Sequence, residues 1–287
     1  MIAVTGATGH LGRLVIDALL DRGVEPSEVV AVVRTPQKAS DLAARGVAVC
    51  VADYAEPAAL EAAFEGVDRL LLVSSSEVGQ RLAHHRNVVE AARRAGVGFL
   101  AYTSLVRADT SPMRLAEEHR ATEAIIRASG LPFAVLRNGW YTENYTAQLP
   151  QYLEHGAVLG SAGEGRVSAA PRADFAEAAA AVLTGEGHEG AVYELGGDEA
   201  FTLDQLAAEV SRQSGTRVVY RDLPAEDYER ALVGAGVPGP FAAVLADSDR
   251  GLARGDLLVE TGDLRRRLGR PTTPLAVAVA DALAEPA

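Results

Sequence analysis

The sequence predicts a doubly wound α/β fold, a parallel sheet covered by helices on both faces, followed by a smaller α+β lobe. Three observations lead there. Short apolar runs alternate with helical patterns through the first half of the chain. The first run leads into a turn with glycines at 6, 9 and 12, directly ahead of a helical pattern. Beyond residue 140 that rhythm gives way to mixed helical and extended segments. Right-handed crossovers then favour the strand order 3-2-1-4-5-6.

Each element has its own signal. Ile2–Val4 is an unbroken apolar stretch, as a strand buried on both faces requires. The segment from Leu11 to Leu20 is helical in period. Further strands are expected at Val29–Val33, Val47–Val51, Arg69–Val73, Gly98–Tyr102 and Pro132–Leu136, with helices near 36–45, 56–65, 78–95 and 114–129. A helix over 144–155 opens the second half, and short extended pieces fill the Gly- and Ala-rich 156–172. A helix at 173–184 and a strand at 191–195 come next. Thr202 can cap a helix through 214, Thr216–Tyr220 reads as a strand, and the remainder is mainly helical. Residues 1–140 are expected to form the sheet domain, and 141–287 a substrate lobe on the carboxyl edge of the sheet rather than an independent domain.

Composition narrows the function classes. Hydrophobic residues make up 48% of the 287-residue chain, which argues against disorder. A net charge of −12 argues against nucleic acid, whose binding draws on many Lys and Arg contacts. No apolar segment approaches the roughly 20 residues that span a bilayer, and no signal peptide is recognisable. Cys50 is the single cysteine, so an intrachain disulfide and a cysteine metal cluster are excluded. A cytoplasmic protein is expected. The sequence selects neither a monomer nor a homodimer.

The opening motif carries chemistry. Gly6 permits the tight turn, Gly9 removes a side chain where a pyrophosphate must approach, and Gly12 allows close helix–sheet packing. The candidate phosphate loop is thus Gly6, Ala7, Thr8, Gly9, His10 and Leu11, with the free N–H groups of the following helix as an anion site. At the end of the second strand an acid would select NAD through the ribose hydroxyl. Here stand Arg34 and Lys38 with no acid beside them, which favours a 2′-phosphate and hence NADPH. Asp53 can accept from an adenine amino group or cap the helix starting near Glu56. Ser74, Ser75 and Ser76 offer hydroxyls and close backbone along the cofactor, or simply form a polar turn.

Catalytic candidates sit after the later strands. Lys38, on the adenosine side, is the only lysine, so a lysine-assisted tyrosine for alcohol oxidation or epimerisation is disfavoured. Hydride delivery with little acid catalysis remains, and a quinone suits it because the reduced anion is delocalised. His119 and Glu123 stand one helical turn apart, and His119 can donate a proton with Glu123 holding it. The run Arg137-Asn-Gly-Trp-Tyr-Thr-Glu-Asn144 places amides and aromatics just past a strand end. Thr103, Asn138 and Gly139 are expected beside a nicotinamide, Trp140 or Tyr141 as a wall, and Trp140 alternatively as a core anchor. His119, Tyr141 and Asn144 are the catalytic candidates.

At these residues the chain resembles the NmrA-like atypical short-chain dehydrogenases, and within them the type 2 NAD(P)H:quinone oxidoreductase subfamily. Thr5-Gly-Ala-Thr-Gly-His-Leu-Gly12, Leu71-Leu-Val-Ser-Ser-Ser-Glu-Val-Gly-Gln-Arg81, Ala101-Tyr-Thr-Ser-Leu105 and Leu136-Arg-Asn-Gly-Trp-Tyr141 carry the likeness. Ala108–Pro112, Gly187–Gly190, Leu245–Asp249 and Pro271–Thr273 extend it over nearly the whole chain. The resemblance implies a Rossmann fold and NADPH-preferring two-electron quinone reduction without flavin. It also implies cofactor contacts at Gly6 to Leu11, Arg34, Ser74 to Ser76, and Asn138, Gly139, Trp140, Tyr141, Thr142 and Glu143. His10 departs from it, standing where glutamine is usual. Two other functions are compatible with the motifs: a non-enzymatic NADP(H)-binding redox sensor, and a reductase of another activated carbonyl or nitro compound.

Overall fold

Seven parallel strands form the main sheet, one more than the sequence predicts. The computed structural model describes residues 1–77 and 79–284. Its strands are β1 (Ile2–Thr5), β2 (Val29–Val33), β3 (Ala48–Val51), β4 (Arg69–Leu72), β5 (Phe99–Leu105), β6 (Phe133–Asn138), β7 (Ala157–Gly160), β8 (Ala191–Leu195) and β9 (Val219–Asp222). The main sheet runs β3-β2-β1-β4-β5-β6-β8, and β7 pairs with β9 in a separate two-stranded parallel sheet. Helices α1 (His10–Asp21), α2 (Ser40–Ala44), α3 (Pro57–Ala63), α4 (Arg81–Ala95) and α5 (Arg114–Ala128) connect the first six strands. The second half adds α6 (Glu143–Thr146), α7 (Leu149–His155), α8 (Arg172–Thr184), α9 (Leu203–Ser214), α10 (Ala225–Gly234), α11 (Gly239–Ala253), α12 (Asp263–Leu268) and α13 (Leu275–Ala284). The helix expected over 78–95 forms from Arg81; Val78 lies outside the described residues, as do residues 285–287 of the expected lobe.

Both faces of the sheet are covered, which is why its central strands are apolar without alternation. Val4, Val29, Ala31 and Val33 point into one core with Val15, Ile16 and Leu19 of α1 and Phe175 of α8. Ala3, Val30 and Val32 point into the other with Leu60, Phe64, Val88 and Ala92. Alanines 176, 178, 179 and 180 bury a small-residue face on α8 in the same core as α1. A third core, with Tyr145, Tyr152, Val167, Phe201, Leu206 and Leu252, fills the lobe.

Two expectations change. The strand at 191–195 does not belong to the lobe: β8 pairs with β6 from Ala134↔Ala191 to Asn138↔Leu195, and α8 shares its core with α1. The expected boundary at 140 therefore does not separate sheet from lobe. Local pattern marks a strand but not its partner, and the free edge of β6 supplied one. The helix expected over 144–155 is two helices, because Pro150 has no N–H to return to Thr146 and its ring obstructs continuation. Thr202 caps α9 as expected, in a full capping box: its hydroxyl accepts from Gln205 N–H at 3.1 Å, and Gln205 accepts from Thr202 N–H at 2.9 Å.

In the lobe, Asp249 of α11 accepts a hydrogen bond from Ser161 N–H at 2.7 Å. Burial pushes its carboxyl up to about 6. The folded chain therefore holds this proton more firmly than the unfolded chain, and stability falls as pH rises from about 4 through 6. Asp249→Asn keeps the acceptor and removes the charge. It is expected to raise Tm at pH 8, by the equivalent of at most about 3 kcal/mol, and to leave it nearly unchanged at pH 4. Thermal melts at the two pH values decide this, and equal shifts at both would contradict it.

Candidate dinucleotide and acceptor site

The turn after β1 begins the site. Gly6 adopts φ +58°, and its carbonyl accepts from Gly9 N–H at 2.9 Å. A Cβ on Gly12 would lie 2.3 Å from the Gly6 carbonyl oxygen, so only glycine lets α1 start this close to the turn. No side chain caps α1, and no acid stands in its first turn. Its first N–H groups therefore have no partner in the helix and face an electropositive opening.

One cavity of about 520 Å³ runs along the carboxyl ends of β1, β2, β4 and β5. Gly6, Thr8, Gly9, His10 and Leu11 line its middle, and Arg34, Lys38 and Asp53 line the adenosine side expected from the sequence. Ser74, Ser75, Ser76, Thr103 and Tyr141 line it as well. Tyr54, Glu77, Arg81 and His84, which the sequence did not single out, complete the wall. Arg34 is exposed, with Nη1 2.7 Å from Glu77 and Nε 4.0 Å from Asp53. Asp53 neither caps α3 nor leaves both oxygens free, because Oδ1 accepts from Ala55 N–H at 2.8 Å.

Other candidates lie behind the wall. Ala7 is buried and donates its N–H toward Val32. Gly139 makes room for protein rather than ligand: its N–H donates to the Leu195 carbonyl at 2.7 Å, and a Cβ there would lie 2.9 Å from that oxygen. Trp140 packs on the lobe core. Thr142 is buried, and its N–H donates to the Ala170 carbonyl. Glu143 accepts from Arg172 N–H at 2.8 Å, thereby satisfying the start of α8. Asn144 accepts from Arg172 Nη2 at 3.1 Å.

His119 needs a correction. It is 5% exposed, is not among the residues lining the cavity, and shares a 2.7 Å hydrogen bond with Tyr102. Burial holds its imidazole well below the usual range, so it is neutral at physiological pH. Glu123 does not hold it. That carboxylate binds Arg137 at 2.7 and 2.9 Å and accepts from Ser104 at 2.7 Å. Arg137 also reaches Glu194 at 2.7 Å and Asp109 at 3.0 Å, so the network ties the 106–113 loop to β6 and β8. The helical period rightly put His119 and Glu123 on one inward face; the partners waiting there came from β5 and β6.

Tyr141 follows β6 and lines the cavity. Its hydroxyl accepts from Asn138 Nδ2 at 3.1 Å, and the Arg172 guanidinium lies 4.7 Å from its ring centroid. Burial raises the phenol above its ordinary range, outweighing the Asn138 hydrogen bond, so it stays protonated. Asn138 Oδ1 is buried without a hydrogen-bond partner, and Asn138 is not among the residues lining the cavity.

The family model described as NAD(P)H-binding matches residues 6–186. The chain belongs to that family. It is 53% identical to quinone oxidoreductase 2 of Escherichia coli over 97% of each chain. The structure of an E. coli NADPH-dependent quinone oxidoreductase complexed with NADPH superposes with a TM-score of 0.96, at 53% identity, covering 99% of this chain and 100% of that one. A Citrobacter triphenylmethane reductase complexed with NADP(H) is 41% identical, with a TM-score of 0.94 over 98% of this chain and 100% of that one. The resemblance carried by the motifs thus extends over the full length. Among the described residues no helix is long and apolar enough to cross a membrane.

The glycine contact gives a direct test. Gly12→Ala is expected to cost about 1–3 kcal/mol, because the new methyl meets backbone that must shift. It should also weaken NADPH binding at least tenfold, an order-of-magnitude expectation for a displaced anion site. Gly234→Ala has nothing within 4 Å of the added Cβ and should leave binding unchanged and melting no lower than wild type. Paired melts and titrations check both.

Proposed function

We propose that the chain is an NADPH-dependent quinone oxidoreductase that reduces quinones by two electrons without a flavin. The observation that carries this reading is the single cavity joining an uncapped helix start and two cations to the Tyr141 and Thr103 end. The 53% identical quinone oxidoreductase supports the acceptor class. The residues present fit the dinucleotide: a glycine turn no side chain obstructs, and a buried Asn138 oxygen lacking a donor. Bound NADPH supplies the hydride.

The remaining work falls to the chain. The N–H groups opening α1 hold the pyrophosphate. Arg34 and Lys38 favour the 2′-phosphate, Arg34 exchanging Glu77 for it. Asn138 Oδ1 suits the carboxamide N–H. Tyr141, protonated and with only its oxygen engaged by Asn138, can give its phenolic proton at the acceptor end. A quinone asks little of that acid, because its reduced anion spreads the charge over the ring and water can complete protonation. The 106–113 loop, pinned by Arg137, and the lobe cover the acceptor. The reaction takes place in the cytoplasm. The 41% identical triphenylmethane reductase favours a second reading, reduction of other activated acceptors at the same site.

Steady-state NADPH oxidation on adding a benzoquinone tests the assignment, and a wider acceptor panel tests the second reading. Tight NADPH binding without turnover of any acceptor would instead indicate a redox sensor. Arg34→Ala is expected to narrow the preference for NADPH over NADH about tenfold, the effect of one charge-assisted contact. Tyr141→Phe should lower kcat with quinones less than about tenfold, below the usual loss of a general acid. An unchanged cofactor preference would remove Arg34 from the 2′-phosphate role.

A further inference from the structure

The run Ser74-Ser-Ser-Glu-Val-Gly-Gln-Arg81 remains to be explained, since it closes on an arginine that lines the cavity wall although it is buried. Ser75 is held on both of its backbone polar groups. Its N–H donates to His85 Nε2 at 3.0 Å, and its carbonyl accepts from Arg81 Nε at 2.7 Å. Both side chains come from α4, one turn apart, and both are buried, Arg81 at 5% exposure and His85 at 0%. Each is held in turn by α5. Arg81 Nη1 lies 3.2 Å from Glu118 Oε2, and His85 Nδ1 lies 2.9 Å from Thr122 Oγ1. Glu118 Oε1 also accepts from Gly79 N–H at 3.1 Å, gripping the far end of the same loop.

This bonding fixes a tautomer. Because His85 Nε2 accepts from an amide, Nδ1 carries the proton and donates to Thr122, whose own hydroxyl donates to the Glu118 carbonyl at 2.9 Å. Burial, helped by the Arg81 charge, lowers the imidazole to about 3, so the acceptor persists throughout the working pH range. The Ser74 N–H is likewise occupied, donating to Thr103 Oγ1 at 2.8 Å. The N–H groups of Ser74 and Ser75 and the Ser75 carbonyl are therefore engaged within the protein, while Ser74, Ser75 and Ser76 line the cavity and Ser75 Oγ accepts from Glu77 N–H at 3.1 Å.

We infer that Arg81 and His85 are positioning residues for NADPH: they lock the Ser75 peptide so that the Ser74–Ser76 hydroxyls form the cavity wall. The inference rests on the NADPH reading above. Without the His85 acceptor the Ser75 N–H must seek water, rotating the peptide and withdrawing that wall. The hydrogen bonds of Arg81 and His85 reach Ser75, Glu118 and Thr122, and neither residue bonds to Thr103 or Tyr141.

The test measures NADPH binding at equilibrium by cofactor fluorescence, with KM for NADPH and for a quinone beside it. His85→Leu is expected to weaken NADPH binding about tenfold, the consequence of one buried N–H left unpaired. KM for NADPH should rise in parallel while KM for the quinone stays within about twofold, an order-of-magnitude bound for a site the grip does not reach. His85→Gln, whose carbonyl oxygen can replace Nε2 as acceptor, should recover most of the loss. Arg81→Lys keeps the charge but cannot serve both Ser75 and Glu118 with one fork, and should fall between wild type and His85→Leu. NADPH binding at the wild-type level in His85→Leu and Arg81→Lys overturns the inference, as does a glutamine no better than leucine. If His85→Leu does not fold, the graded order of His85→Gln and Arg81→Lys against wild type decides. A wild-type protein that fails to bind NADPH defeats the cofactor reading instead, so the two failures are distinct.

Discussion

The site depends on how closely α1 approaches the turn that precedes it. With Gly12 against the Gly6 carbonyl, the helix starts within the turn instead of beyond it, and its unpaired N–H groups open at the centre of the sheet. That point lies where the strand order reverses, between β1 and β4, where a crevice is unavoidable because successive crossovers leave in opposite directions. The remaining wall is built outward from this position. Arg34 and Asp53 extend it to one side from the ends of β2 and β3, and Ser74 to Ser76, Thr103 and Tyr141 to the other. A bulkier residue at 12 would move the helix start and with it the reference point for every other contact.

Much of this was legible in the sequence because it is local. Apolar runs buried on two faces have a distinctive composition, and glycines at 6, 9 and 12 carry geometry in their spacing. What the sequence did not show is who pairs with whom across long separations. Ala191–Leu195 reads as a strand, yet only the fold tells it to lie against β6 and not in the lobe. Glu123 reads as a partner for His119 one turn away, yet Arg137, arriving from β6 with a planar fork, takes it bidentately. Gly139 reads as room for a cofactor, yet β8 had already filled that room with the Leu195 carbonyl. In each case the partner comes from another element of the fold.

Buried polar groups divide the site into fixed and available parts. Arg137, Glu123, Glu194 and Asp109 satisfy one another, with Arg137 losing solvation but gaining enough from the hydrogen bonds to Glu123 and Glu194 to keep its charge secure. They hold the loop after β5, where Arg107 takes a left-handed φ of +52° and its N–H donates to Glu194. On the other side of β5, the Ser75 peptide is held by α4. Between these two anchors Asn138 Oδ1 stays unpaired and the phenolic proton of Tyr141 is free to be donated. An unpaired buried acceptor is costly, and Asn138 Oδ1 is one among the described residues, though Asn138 itself does not line the cavity.

The acid chemistry of the site follows from what burial does to its titratable groups. The neutral His119 and His85 are not imidazolium acids at physiological pH, and both serve as hydrogen-bonding partners for the framework. Lys38 lines the cavity but follows β2, on the adenosine side, too remote in the topology to lower the phenol of Tyr141. Arg172 over the Tyr141 ring is already engaged by Glu143 and Asn144, and the phenol stays protonated. A site so arranged suits hydride addition to an acceptor that carries its new charge by delocalisation. It is poorly suited to a ketone or alcohol, whose localised alkoxide would demand a strong acid in place at the moment of transfer. The choice of acceptor is therefore tied to Tyr141, whose phenol burial keeps weakly acidic.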